Sequence, residues 1–195
     1  MNLIAPRPII IYAAIAILCI VANIIAFCFQ FFCYEIPCPL CLLQRFGFIA
    51  IGFGATASIA HKPSWKYDLI IIISSIFTLI VGLRQVLLHI MPHDPGYGSM
   101  FLGLHFYTWS AIMSFALILL MAATTIVNLV VDKFEILQSY PVFLTPIFKI
   151  SFITITFINL VLTFFECSFG LCPSDPLTYL EWDAMLDLFR PLHKK

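Results

Sequence analysis

Five long apolar stretches constrain the fold of this chain more than any other feature. A transmembrane helix needs about 20 consecutive, mostly apolar residues. The predicted spans are residues 9–32, 40–60, 69–91, 106–131 and 142–165. Hydrophobic residues make up 62% of the 195 residues and charged residues only 10%, so polar side chains are too few to cover a water-facing surface. We therefore predict a single polytopic, all-α membrane domain over residues 1–195 rather than a soluble protein.

The fifth stretch is the least regular of the five. Pro141, Pro146 and Lys149 crowd its beginning, and the continuous apolar run from Ile150 to Phe165 is short. A re-entrant or interfacial segment is therefore the alternative to a fifth span.

The basic residues predict the orientation of the spans, because cytoplasmic loops carry an excess of Lys and Arg. With the N-terminus in the cytoplasm, the basic residues on the inner side are Arg7, Lys62, Lys66, Lys133 and Lys149. The two opposite loops, residues 33–39 and 92–105, hold neither Lys nor Arg. We predict a cytoplasmic N-terminus and an exported tail over residues 166–195, in which Asp175 and Pro176 indicate the start of a short helix. Ten basic and ten acidic residues cancel without forming a basic patch, so nucleic acid is not an expected partner.

Two of the seven cysteines form a CxxC motif where the second span begins, on the exported side. Cys38 is the predicted helix N-cap, Pro39 suits the first helical position, and Cys41 lies in the first turn. A thiolate in that turn faces the positive end of the helix dipole and becomes more reactive. Thiols at i and i+3 are close enough to form a disulfide, which persists outside the cytoplasm. The motif predicts a redox-active pair.

Polar residues of the second and third spans predict a binding site for a lipid-soluble electron acceptor. Gln44 and Arg45 follow Cys41 on the same helical face. An arginine just inside the hydrocarbon region indicates a functional site, and snorkelling towards the headgroups is the alternative. Arg84 and His89 are predicted to converge on the same pocket, although His89 is equally well explained as an interfacial histidine without a role. A quinone carbonyl is the natural acceptor of hydrogen bonds from such a site.

A second pair of thiols, Cys167 and Cys172, directly follows the fifth stretch, and Gly170 permits a tight loop between them. If the fifth span crosses the membrane, both pairs lie on the same side, and one disulfide can oxidise the other by thiolate attack. A purely structural disulfide is one alternative. A metal-binding or transport protein with a four-thiolate zinc site is another.

The segment from Cys38 to Arg45 has the sequence CPLCLLQR and resembles the CxxCxxQR signature of the disulfide bond formation protein B (DsbB) family. The resemblance extends over the first four spans. It implies a four-helix transmembrane bundle, to which this chain adds a fifth helix, and a place in the bacterial inner membrane. The implied activity is that of a thiol:quinone oxidoreductase, which re-oxidises a periplasmic DsbA-like thioredoxin-fold oxidase and reduces ubiquinone or menaquinone. Cys38 and Cys41 would then be the quinone-proximal pair, with Arg45 near the quinone.

The chain departs from the family pattern in the loop between its third and fourth spans. Residues 92–99 contain no cysteine, whereas the family carries its second pair in that loop. We predict that Cys167 and Cys172 replace this pair, accept electrons from the partner protein and pass them to Cys38 and Cys41. In the alternative arrangement, the partner reacts with Cys38 and Cys41 directly.

Overall fold

Five helices make up most of the chain in this computed structural model, which describes residues 9–61, 64–130 and 144–167. The helices are α1 (Ile9–Phe32), α2 (Pro39–His61), α3 (Trp65–Leu88), α4 (Phe106–Val130) and α5 (Leu144–Cys167). At 1.5 Å per residue each is about 35 Å long, and all five are long and apolar enough to cross a membrane. The predicted all-α membrane fold is confirmed, and α5 has the length of a full span.

The third helix lies several residues closer to the N-terminus than its predicted span. It was expected over residues 69–91 and runs over Trp65–Leu88. Ser64, with extended backbone, precedes it, and the amide of Asp68 donates to the Ser64 carbonyl at 3.2 Å. Hydropathy alone overlooks this polar first turn, in which an acidic residue is stabilised by the helix dipole.

Helix α2 is the central element of the bundle and packs against α1, α3 and α5. In its most apolar window 61% of the residues are buried, against 22% to 33% in the other four helices. The outer helices expose large apolar side chains such as Ile10, Ile80 and Phe157. Such exposure suits a surface in contact with lipid and not one in contact with water.

Glycines of α2 let its neighbours approach closely, as is common between membrane helices. A Cβ atom at Gly47 would collide with Thr78 of α3, and one at Gly52 would collide with the ring of Phe152 on α5. Phe152 is fully buried. The docking of α5 on α2 therefore depends on the missing side chain at Gly52.

Two loops are joined across the end of the bundle where α1 ends and α2 begins. This end carries Cys38 and Cys41, and we call it the thiol end. The Tyr97 hydroxyl donates to the Ile36 carbonyl at 2.5 Å, and Glu35 accepts hydrogen bonds from the hydroxyl and the amide of Ser99. The loop before α4 is thereby fixed over the loop before α2.

A short hairpin leads from these loops into α4. Its strands β1 (Met100–Phe101) and β2 (Leu104–His105) are antiparallel. Leu102 and Gly103 both have positive φ angles, 52° and 79°, as a tight two-residue hairpin turn requires. The Trp109 indole donates to the Phe101 carbonyl at 2.9 Å and fixes the hairpin to α4.

The predicted helix that begins at Asp175 and Pro176 lies outside the described residues, and so does Cys172.

Candidate functional site

The CxxC motif forms the start of α2 as predicted, with Pro39 as the first helical residue. The backbone amide of Cys41 donates to Cys38 Sγ at 3.1 Å, so the sulfur itself caps the helix. Both cysteines are free thiols; Cys38 is buried and Cys41 is half-buried. The hydrogen bond with Cys41, and then burial, raise the pKa of Cys38 well above its ordinary value. Cys38 is therefore the thiol of the pair that keeps its proton.

Gln85 of α3 contacts both thiols, although no sequence pattern predicted it as a site residue. Its Nε2 atom lies 3.3 Å from Cys38 Sγ and 3.4 Å from Cys41 Sγ. Its side chain is 1% exposed. A buried amide within hydrogen-bond distance of two sulfurs can donate to whichever of them carries negative charge.

Gln44 lies beside the thiol pair, as its spacing from Cys41 predicts. Its Nε2 donates to Gln85 Oε1 at 2.7 Å, and the Cys41 thiol lies 3.8 Å from the same oxygen. This bond fixes the Gln85 amide with its nitrogen turned towards the sulfurs. Gln44 thus acts on the thiols through Gln85.

Arg45 is buried and held by α1 rather than extended towards the membrane surface. Its Nη1 donates to Gln30 Oε1 at 2.5 Å and its Nη2 to the Ala26 carbonyl at 3.2 Å. The guanidinium carbon lies 5.6 Å from the centroid of the Phe27 ring, within the range of a cation–π contact. These contacts fix a positive charge inside the bundle.

A cavity of about 320 Å³ opens next to Cys41, Gln44 and Arg45. Mostly apolar residues of α1 and α4 form just over half of its wall, and the joined loops at the thiol end contribute Tyr97 among others. Its size and its mostly apolar lining with a few polar groups are typical of sites for small organic molecules. The cavity therefore suits a lipid-soluble ligand with polar atoms at one end.

Arg84 and His89 do not line this cavity. Arg84 is exposed on α3, about 100° round the helix from Gln85, the residue that contacts both thiols. His89 lies just after the end of α3, where its Nδ1 is 3.1 Å from Asp94 Oδ1. Its ring is 5.6 Å from that of Tyr107, a residue of the cavity wall. The structure therefore does not bring these two predicted residues to the acceptor site.

Asp94 anchors the loop around His89. The Gly96 amide donates to Asp94 Oδ1 at 2.8 Å, and this bond, followed by the contact with His89, lowers the pKa of Asp94. The carboxylate thus stays charged and holds the imidazole at the edge of the site.

The last two residues of α5 bring further chemistry to the thiol end. Cys167 is buried and disulfide-bonded, whereas the other five described cysteines are free. Glu166 is fully buried, and the charges of Arg45 and Cys41 act on it. The C-terminal end of α5 therefore lies at the same end of the bundle as Cys41. The predicted partner of Cys167, Cys172, is outside the described residues.

Comparisons with known proteins point to one family. Residues 8–124 match the model of the family described as disulfide bond formation protein DsbB. A curated relative, the disulfide bond formation protein B of Marinobacter nauticus, is 39% identical to the chain over 62 residues. The match covers 30% of the chain and 37% of the relative, so the chain spans little more than a third of the relative's length. No solved structure matches the chain. The matched region ends before α5, so Glu166 and Cys167 lie outside it.

Proposed function

Because the chain belongs to the DsbB family of disulfide bond formation proteins, we propose that it is a thiol:quinone oxidoreductase that supports disulfide formation in other proteins. One observation carries the proposal. A pair of free thiols at a helix N-terminus borders an apolar cavity that also contains a buried, fixed guanidinium.

The cavity residues fit a quinone. When bound, a quinone accepts two electrons and two protons. Arg45 and Gln44 border the cavity and carry the donor groups that a quinone carbonyl oxygen requires. The apolar side chains of α1 and α4 would hold the ring and tail, and ubiquinone and menaquinone both meet this description.

The thiol pair supplies the electrons. Cys41 borders the cavity, and the Cys38 sulfur caps the helix behind it. When both thiols are oxidised, a Cys38–Cys41 disulfide forms, and two electrons and two protons leave with the reduced quinone. Gln85 donates a hydrogen bond to the sulfur that carries negative charge during this step.

We propose that Cys167 and Cys172 form the second disulfide, which receives electrons from the partner. A dithiol of the partner attacks this disulfide, and the partner becomes oxidised while Cys167 and Cys172 become thiols. These thiols then reduce the Cys38–Cys41 disulfide. The position of Cys167 at the thiol end supports this exchange.

The proposed partner follows from redox potentials, and the proposed orientation follows from the distribution of basic residues. A DsbA-like thioredoxin-fold oxidase has a potential of about −120 mV, so its dithiol needs an acceptor as oxidising as a respiratory quinone. We propose that the thiol end faces the periplasm of a bacterial inner membrane, with the N-terminus in the cytoplasm. The absence of Lys and Arg from residues 33–39 and 92–105 supports this orientation.

Steady-state quinone reduction by purified protein in detergent, with a reduced DsbA-like protein as electron donor, tests the proposal. Cys41→Ser should abolish quinone reduction, because no disulfide can form in its place. Cys28→Ser is the matched control, since Cys28 is a free, exposed cysteine of α1 away from the cavity wall. A Cys41→Ser protein that reduces quinone at the wild-type rate would contradict the proposal.

The same assay separates the two ways of connecting the partner. If Cys172→Ser blocks oxidation of the partner protein while dithiothreitol still supports quinone reduction, the second pair relays electrons. A normal rate of partner oxidation in Cys172→Ser instead assigns that pair a structural role, and the partner then reacts with Cys38 and Cys41 directly.

A further inference from the structure

Glu166 is a buried acid that the proposed function leaves unused. Its side chain is 0% exposed, and within the part of the chain that the structure describes neither carboxyl oxygen has a hydrogen-bond partner. A carboxylate without partners is costly to bury, and an acidic residue inside a membrane helix indicates a functional site. A group of this kind at the thiol end needs a role beyond packing.

Among the described elements, the helices that pack against α5 are α1 and α2. Helix α1 contains no Asp, Glu, Lys or Arg. Besides Glu166, the titratable side chains on these helices and on α5 are Tyr12, Cys19, Cys28, Cys41, Arg45, His61 and Lys149, whereas Cys167 is disulfide-bonded. Of these, Arg45 and Cys41 have charges that act on Glu166.

In the described part of the chain, this buried region therefore holds two acids, Glu166 and Cys41, and one cation, Arg45. Among the described residues, Arg45 is the cation whose charge acts on both Cys41 and Glu166. Its guanidinium is always charged and is fixed by its bonds to α1. In a region of low dielectric, one positive charge favours one anion nearby, and a second anion is repelled by the first.

We propose that Glu166 and Cys41 share one proton beside Arg45, so that Glu166 takes up the proton that Cys41 loses when it becomes a thiolate. The S–H bond of Cys41 breaks, an O–H bond forms on Glu166, and no electrons move. This proposal rests on the proposed function. When the thiol pair is oxidised, the proton held by Glu166 and the proton of Cys38 leave with the reduced quinone.

The pH dependence of Cys41 alkylation tests this proposal on the full-length, reduced protein without quinone. Brief iodoacetamide pulses across pH, followed by mass spectrometry of the Cys41 peptide, report the thiolate fraction. Because the two acids are coupled, the wild-type profile should rise in two steps. In Glu166→Gln it should rise in one step, with a midpoint lower by about one pH unit or more. Quinone reduction by that variant should nevertheless slow on the order of a hundredfold, since the proton acceptor is gone.

Two further variants separate a role in proton transfer from a structural one. Glu166→Asp keeps a carboxyl group and should restore the two-step profile and much of the turnover. Asp94→Asn removes an equal charge at the same end of the bundle, where Asp94 bonds Gly96 and His89, and should leave the Cys41 profile unchanged.

An unshifted Cys41 profile in Glu166→Gln would overturn the shared proton, while Cys41→Ser tests the proposed function independently. If Glu166→Gln does not fold, infrared difference spectra of the wild type provide the test. The carbonyl band of a protonated carboxyl must grow as the Cys41 thiolate forms, and the proposal fails if no such band appears.

Discussion

At the scale of single residues, the site depends on which of two neighbouring side chains of α3 turns inward. From the sequence, Arg84 is predicted at the acceptor site, because a charged residue in a membrane span indicates function. In the structure Arg84 is exposed, and Gln85, about 100° further round the helix, is buried against both thiols. An uncharged amide gives a weak signal in a sequence, so its role becomes visible only when α3 is docked on α2.

Gln85→Leu tests this assignment. The substitution keeps the approximate volume and removes the donor to both sulfurs, so quinone reduction should fall about tenfold, as expected for a hydrogen bond to a charged group. Arg84→Leu in the same assay compares the two neighbours. A larger loss in Arg84→Leu than in Gln85→Leu would favour the original prediction over the structure.

Substitution of Arg45 provides a second test at this scale, because this residue borders the cavity and its guanidinium is fixed. Arg45→Ala should raise the apparent KM for quinone about tenfold or more, from the loss of a charged donor. The Cys38–Cys41 pair should still form its disulfide with chemical oxidants. Arg45→Lys restores the charge without the planar fork and should recover only part of the affinity. An unchanged apparent KM in Arg45→Ala would contradict the role assigned to this residue.

At the scale of secondary structure elements, the fit of α5 against α2 brings the end of α5 to the thiol end. The Phe152 ring fills the space left open at Gly52, and Phe152 is fully buried. The sequence predicted a fifth span from its hydropathy. It could not predict which face of α2 the span would cover, because that choice depends on the matching of a glycine with a ring on distant parts of the chain.

Gly52→Ala tests this contact. The added methyl collides with the Phe152 ring, so the protein should lose about 1–3 kcal/mol of stability, as overpacked cores do. Thermal unfolding in detergent measures the loss. Phe152→Leu in the Gly52→Ala background makes room for the methyl, so the double variant should be more stable than the sum of the single effects predicts. Strictly additive effects would contradict the contact.

At the scale of the whole molecule, the described helices have the length and apolar surface of a multi-pass membrane protein. Hydropathy is a strong signal because a bilayer requires every span to bury its backbone polar groups in a helix. The five spans and the CxxC start of α2 were therefore predictable from the sequence. The cavity between α1 and α4, the anchoring of Arg45 on α1 and the buried Glu166 were not. Each of these features depends on how separate helices meet.

The orientation in the membrane is testable at this scale. Cys33 is exposed at the thiol end, so a membrane-impermeant maleimide should label it in spheroplasts with an intact inner membrane. In a Cys33→Ser background, Ser64→Cys at the opposite end should be labelled only after that membrane is broken. Labelling of Ser64→Cys before lysis would reverse the proposed orientation.

The most direct test of the central claim is a single turnover of the reduced protein with quinone, coupled to thiol counting by mass-tag alkylation. We expect about one quinone to be reduced per dithiol oxidised, since the formation of each disulfide from two thiols releases two electrons. The free thiols should disappear at Cys38 and Cys41. Loss of the free thiols at Cys167 and Cys172 in the same reaction would support electron transfer from this second pair to the first. Unreduced quinone with all four thiols still free would contradict the account.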